Sequence, residues 1–218
     1  MVSVLFDLVK LSSYLRAFIL SFLVCLYFTV SENKSKFFAI FLISSAFAEF
    51  IKAFSYFDVS VLPRISNIAY IFGYLNLLLY IAKRINLKIL MSKFKLPIFV
   101  LFIFNGYLIF TLNQMILADS TIKVYTLDFL IECLYNISIL LLLSFSLINY
   151  LYHDSKKGLI LFLASVCIVF SETVRVAYVF VSSDYILSVI YSILLIIGFS
   201  LVYFYIVSKM NKYYKVLF

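Results

Sequence analysis

Long apolar runs separated by short polar breaks organise this chain. Seven of them fall at about 14–30, 37–57, 65–82, 97–117, 127–150, 159–181 and 185–208. Each comes close to the roughly 20 residues with which a helix crosses about 30 Å of hydrocarbon. Period-two alternation of apolar and polar positions is absent, which speaks against a transmembrane barrel. The pattern predicts an all-α polytopic membrane protein with seven transmembrane helices. It makes 1–218 one helical domain, with a short extracytoplasmic segment at 1–13 and a cytoplasmic tail at 209–218. No stretch remains for a soluble catalytic domain.

The breaks refine this picture. Residues 2–11 suit either a short amphipathic helix on the interface or a disordered end. Asp7 and a single lysine precede the first run and no small-x-small site follows it, so it does not read as a signal peptide. Among the loops only 83–96 has substantial length; it is basic and amphipathic and is expected to lie on the inner surface. Pro97 follows it, where the first turn of a helix tolerates proline, and Pro63 is expected in the loop after the second helix.

Polar residues inside the runs form a pattern of their own. Phe47-Ala48-Glu49-Phe50-Ile51-Lys52-Ala53 and Phe170-Ser171-Glu172-Thr173-Val174-Arg175-Val176 both follow F-[AS]-E-x-[IV]-[KR]-[AV]. Each sets an acid and a base three residues apart, on one face of a helix. An ionised group at membrane depth costs roughly 2.5–3.5 kcal/mol on insertion scales, so its repetition asks for a cause. The likeness extends further: Ile68-Ala69-Tyr70 matches Val189-Ile190-Tyr191, and the ends at Lys83 and Lys209 correspond. Helices 2–3 therefore resemble helices 6–7 four crossings later, the signature of a parallel internal repeat.

Helix 5 adds Asp128, Glu132, Tyr135 and Asn136 along one face, and Tyr70, Tyr74 and Asn76 line helix 3. Asn67 opens helix 3, while Asn113 and Gln114 close helix 4. These groups are expected to gather in one half of the bilayer, leaving the other half nearly pure Leu, Ile, Phe and Val.

Composition agrees with the spans. The chain is 66% hydrophobic and 13% charged, with mean hydropathy +1.14, whereas soluble chains carry about 25% charged residues. A net charge of +8 would suggest nucleic acid until the charges are placed. Counting loops alternately puts twelve basic residues on one face and four (Lys10, Arg16, Arg64 and Lys123) on the other. That bias predicts a plasma (inner) membrane protein with its N-terminus outside and its C-terminus in the cytoplasm. The basic excess then reads as topology and lipid contact, with no nucleic-acid partner.

Several chemistries find no support. Cys25, Cys133 and Cys167 stand alone in three runs, giving neither a disulfide framework nor a metal site. His153, the sole histidine, belongs to a loop, which argues against zinc and against a Ser-His-Asp triad. Gly73, Gly106, Gly158 and Gly198 form no phosphate-cradling loop. No cofactor or metal is expected, and the residues are silent on oligomeric state.

At its two acid motifs the chain resembles the lysoplasmalogenase-like (YhhN) membrane family, an eight-helix bundle with intramembrane aspartates in one early and one late helix. Ser45-Ala46-Phe47-Ala48-Glu49 is similar to that family's Gly-Asp segment, and Val169-Phe170-Ser171-Glu172 to its Ser-Asp segment. Here both aspartates are glutamates, no glycine precedes Glu49, one N-terminal helix is missing, and Tyr74 or Asn76 stands in the stretch of the family's histidine. The resemblance implies hydrolysis of the vinyl-ether bond of a single-chain ether lysophospholipid. Glu49 and Glu172 would then share the acid and base roles that protonation of carbon and attack of water require. Lys52 or Arg175 would hold phosphate, and Tyr70, Tyr74 or Asn76 would orient glycerol, with Asp128, Glu132 and Asn136 lining the same cavity.

Two readings thus stand. In one, the carboxylates face each other across a cavity and act on, or bind, an amphiphilic membrane lipid. In the other, Glu49–Lys52 and Glu172–Arg175 are structural ion pairs of a non-enzymatic seven-helix sensor, transporter or assembly protein.

Overall fold

A computed structural model describes the chain except residues 1, 32–33, 55–60, 84, 86–93, 119–121, 123, 183 and 211–218; for 2–9 and 208–210 it describes the backbone alone. Most of the basic loop after the third helix and of the C-terminal tail, with Lys123, therefore lies outside the described residues. Seven helices follow one another: α1 Val2–Val30, α2 Lys36–Phe54, α3 Leu62–Ala82, α4 Lys95–Ile116, α5 Leu127–His153, α6 Lys156–Phe180 and α7 Tyr185–Met210. Each contains a segment long and apolar enough to cross a membrane. The described chain is an all-α seven-helix bundle of membrane type.

Helix boundaries depart from the apolar runs where capping chemistry intervenes. α1 starts at Val2, so the segment before residue 14 continues the first helix. Pro63 belongs to the first turn of α3 rather than to the preceding loop, a position where its missing N–H costs nothing. The α5–α6 turn needs only Asp154 and Ser155. Asp154 ends α5 in the left-handed conformation (φ 41°, ψ 53°), and the Ser155 hydroxyl accepts the Gly158 N–H at 3.0 Å to open α6. Thr126 caps α5 likewise, accepting from the Phe129 N–H at 3.4 Å.

The packing order is a closed ring. α1 packs on α2, α2 on α3, α3 on α5, α5 on α6, α6 on α7, and α7 returns to α1. α4 lies outside this ring against α5 and α6. It buries only Leu112 and Ile116, while Phe99, Phe102, Tyr107 and Phe110 are exposed. In a bilayer that surface meets lipid, as the apolar sequence requires. Among the described residues two side-chain bonds tie α4 to the ring, Asn105 Nδ2 to Ser144 Oγ at 2.6 Å and Asn113 Nδ2 to Cys133 Sγ at 3.7 Å; interhelical hydrogen bonds contribute about 0.6 kcal/mol on average in membranes.

Inside the ring, Phe41 of α2 stacks on Phe199 of α7 with centroids 5.2 Å apart, and Phe38, Leu77, Ile139, Leu161 and Val202 complete an apolar middle. α6 and α7 come close at Gly198, where an added Cβ would lie 2.7 Å from Ile168 Cγ1 and 3.2 Å from the Ala164 carbonyl. Small residues allow such backbone approach between membrane helices. The half of the bundle beyond this layer is not purely apolar, contrary to the sequence expectation. Ser144, Ser146, Ser165 and Asn149 are buried there. Serine tolerates that setting because its hydroxyl returns to its own helix, as Ser144 does to the Leu140 carbonyl at 3.0 Å.

Candidate functional site

Alternate crossings bring the start of α1, the end of α2, the starts of α3, α5 and α7 and the end of α6 to one side of the membrane. The charged residues of the spans gather there, as the polar pattern predicts, in two connected clusters.

The first is centred on Glu49, which is wholly buried. Arg16 of α1 donates Nε to Glu49 Oε2 at 2.8 Å. On the other oxygen, Oε1, the Tyr70 hydroxyl of α3 donates at 2.7 Å and the Tyr191 hydroxyl of α7 at 3.2 Å. Lys52 Nζ, one turn along α2, stands 3.7 Å from Oε1. The anticipated Glu49–Lys52 pair exists, but the closer cation is Arg16. Arg16 also reaches Ser13 at 2.9 Å and bonds to Ser192. Four side chains from four helices, Arg16, Lys52, Tyr70 and Tyr191, therefore converge on one carboxylate.

The second cluster is centred on Arg175 of α6. Its Nε meets Glu172 Oε2 at 2.6 Å, the local pair seen in the motif, and its Nη2 meets Glu132 Oε2 of α5 at 3.0 Å. Asn67 of α3 donates Nδ2 to the second oxygen of Glu132 at 2.5 Å. Glu172 is wholly buried, yet its Oε1 has no hydrogen-bond partner among the described residues. The two repeated glutamates thus differ: one is saturated, the other is half-used.

Tyrosine rings complete both clusters. Arg16 lies over Tyr191 at 4.5 Å, Lys52 over Tyr70 at 4.5 Å and Arg175 over Tyr135 at 4.8 Å. Every buried cation has a carboxylate on one side and an aromatic face on another, which lessens the cost of its desolvation.

A hollow of about 400 Å³ opens beside these clusters, within the range of small-ligand sites. Arg16, Lys52 and Arg175 reach it, joined by Asn67, Glu132 and Tyr191. Its rim carries Arg64 and Asp128, paired in a fork at 2.5 and 2.9 Å and each about 40% exposed (40% and 39%). Apolar walls come from Pro63, Ile122, Ile131, Val179 and Phe180. Glu49 and Glu172 are not among the residues that line it. They stand behind the cations, so the carboxylates do not face one another across the hollow as the first sequence reading requires.

The remaining expected residues separate. Tyr74, which interacts with Glu172, and Asn136 are buried but do not line the hollow. Asn76 is turned back to its own helix, donating to the Phe72 carbonyl at 2.8 Å, and takes no part. His153 contacts the Asn149 carbonyl at 3.1 Å at the far end of α5. Among the described residues no three His, Cys, Asp or Glu stand together as a metal site would need. The sequence reading overlooked Arg16, counted as a loop charge, and Tyr191, noted only as part of the repeat. An arginine inside an apolar run was the available signal for the first. Comparison of the chain with protein-family models, with curated proteins and with solved structures gives no match.

Proposed function

We propose that this is a non-enzymatic membrane protein of the sensor or transporter class, which takes an oxyanion-bearing ligand at the hollow. One observation carries the reading: Arg16, Lys52 and Arg175 reach the hollow from three helices, while Glu49 and Glu172, which offset their charge, stand behind them. The hollow's lining carries four cations, Arg16, Lys52, Arg64 and Arg175, against two carboxylates, Asp128 and Glu132, and guanidinium groups suit carboxylate, sulfate or phosphate oxygens. The buried carboxylates act as anchors that hold those cations in an apolar bundle. The apolar walls suit a short hydrocarbon tail, so the anion is either a lipid headgroup or a free oxyanion.

The loop charges support an inner-membrane orientation with the hollow facing outward. The ring order, in which α1–α2–α3 and α5–α6–α7 form equivalent halves, supports the internal repeat.

The test is thermal stabilisation of the purified protein in neutral detergent by octanesulfonate, inorganic sulfate, octyl glucoside and octyltrimethylammonium. Stabilisation by octanesulfonate alone identifies a headgroup with its tail, and stabilisation by both anions identifies a free oxyanion. Equal response to the cation or the neutral glycoside would sink the reading.

Vinyl-ether hydrolysis, which the family resemblance implies, is the second reading. The unpartnered Oε1 of Glu172 favours it, since an acid or base needs an unengaged oxygen. The saturation of Glu49 counts against it. Release of aldehyde from a lysoplasmalogen, lost in both Glu49→Gln and Glu172→Gln, would establish hydrolysis in place of simple binding.

A further inference from the structure

Glu49 and Glu172 occupy equivalent motif positions but are held in opposite ways. All of the partners of Glu49 are cations or hydroxyl donors, and both of its oxygens are engaged. Among the described residues Glu172 has a single hydrogen-bond partner, the Nε of Arg175, and that guanidinium is shared with Glu132. Arg175 lines the hollow and Glu172 does not. A ligand anion arriving in the hollow therefore competes with both Glu132 and Glu172 for this guanidinium; Glu132 keeps its bond from Asn67, whereas Glu172 keeps no hydrogen bond among the described residues.

Other groups face Glu172 from each neighbouring element. They are Lys52 of α2, Tyr70 and Tyr74 of α3, Tyr135 of α5 and Tyr191 of α7, with Arg175 on its own helix. α4 offers only Lys95 at its start and Tyr107, which points outward. The Asn136 side chain is buried with no hydrogen-bond partner among the described residues, and the Tyr74 and Tyr135 hydroxyls approach each other without forming a well-made bond. The unengaged Oε1 thus belongs to a carboxylate that interacts electrostatically with four buried tyrosines, inside an otherwise apolar ring.

We infer that Glu172 is a proton-binding site coupled to the hollow: an anion that takes over Arg175 leaves the Glu172 carboxylate to accept one proton, so ligand and proton bind together. This rests on the anion-binding reading above. The charges balance. Arg16, Lys52 and Arg175 offset Glu49, Glu132 and Glu172 before binding, and one anion plus one proton leaves the sum unchanged. The proton comes from hydronium or a buffer acid in the water that reaches the hollow: the donor's O–H bond breaks and one O–H bond forms on Glu172. Without it, a carboxylate deprived of its cation would remain charged in an apolar interior, which is the costly alternative.

Calorimetric titration of the full-length protein with octanesulfonate, whose charge does not vary with pH, tests the coupling. Titrations in two buffers of different ionisation enthalpy should show uptake of about one proton per anion, and affinity should fall about tenfold for each pH unit over which that uptake holds. Glu172→Gln should bind with no proton uptake and lose that pH dependence. An infrared difference spectrum on adding octanesulfonate should gain a protonated-carboxyl stretch, moved in Glu172→Asp and lost in Glu172→Gln. Should Glu172→Gln not fold, the Glu172→Asp spectrum and the wild-type pH dependence still decide. Binding without proton uptake, or uptake that persists in Glu172→Gln, overturns the coupling and leaves anion binding standing. Failure of octanesulfonate to bind at all removes both.

Discussion

Arg16 and Glu49 meet at 2.8 Å between α1 and α2, each almost wholly buried, and neither could be there alone. A buried pair is costly to assemble but far costlier to halve, because the remaining charge loses its compensation. Arg16→Met should lower unfolding stability by about 3–5 kcal/mol, read as a shift of the denaturation midpoint in detergent. Arg16→Met combined with Glu49→Gln should be less destabilised than the sum of the two single changes. Additive losses would mean that the two side chains do not depend on each other.

The pair also marks how far the sequence could be read. The spans, their number and the side on which the charges gather follow from apolar run lengths and the spacing of Glu49, Glu172 and Glu132. Those are local properties. The i,i+3 partners Lys52 and Arg175 were equally visible. Arg16 was not, since nothing local indicates that an arginine near the start of a run turns inward to a glutamate 33 residues away. The convergence of Tyr70 and Tyr191 on one oxygen of Glu49 is a property of the closed ring, which only tertiary packing creates. Asn76 misled because position on a helix face does not reveal when an amide will instead bond the carbonyl one turn back.

Arg64 and Asp128 form a two-bond fork, yet about 40% of each is exposed at the rim (40% and 39%). Water already solvates such groups, so the bond replaces hydration and adds little. Arg64→Ala should cause only a small loss of stability. Arg175→Ala, which strands Glu172 and Glu132 together, should cost several times more. Parallel denaturation curves of the two variants check the ordering, and a larger loss for Arg64→Ala would contradict it.

Gly198 and Gly106 make a controlled comparison within one bundle. A side chain at Gly198 would collide with Ile168 and the backbone of α6, whereas nothing lies within 4 Å of a Cβ at Gly106. Gly198→Val should destabilise by about 1–3 kcal/mol through overpacking of α6 on α7. Gly106→Ala, on lipid-facing α4, should be neutral or stabilising by up to about 1 kcal/mol from helix propensity. Thermal midpoints of both variants in the same detergent decide. Tolerance of valine at 198 would show that the two helices are not held this closely.

The unequal engagement of the two motif glutamates predicts unequal consequences of removing their charge. Glu49→Gln leaves Arg16 and Lys52 facing each other with no carboxylate between them, and replaces one acceptor oxygen with an amide donor amid hydroxyl and guanidinium donors. Glu172→Gln leaves Arg175 still paired with Glu132 at 3.0 Å and removes the charge of a carboxylate whose second oxygen has no hydrogen-bond partner among the described residues. Loss of a buried partner costs about 3–5 kcal/mol where nothing else compensates the orphaned charge. Glu49→Gln should approach that figure and Glu172→Gln should fall well below it. The measurement is urea or SDS titration of both variants under one set of conditions. Equal losses would mean that the motifs are energetically symmetric after all, and would leave no reason to assign the exchangeable proton to one glutamate over the other.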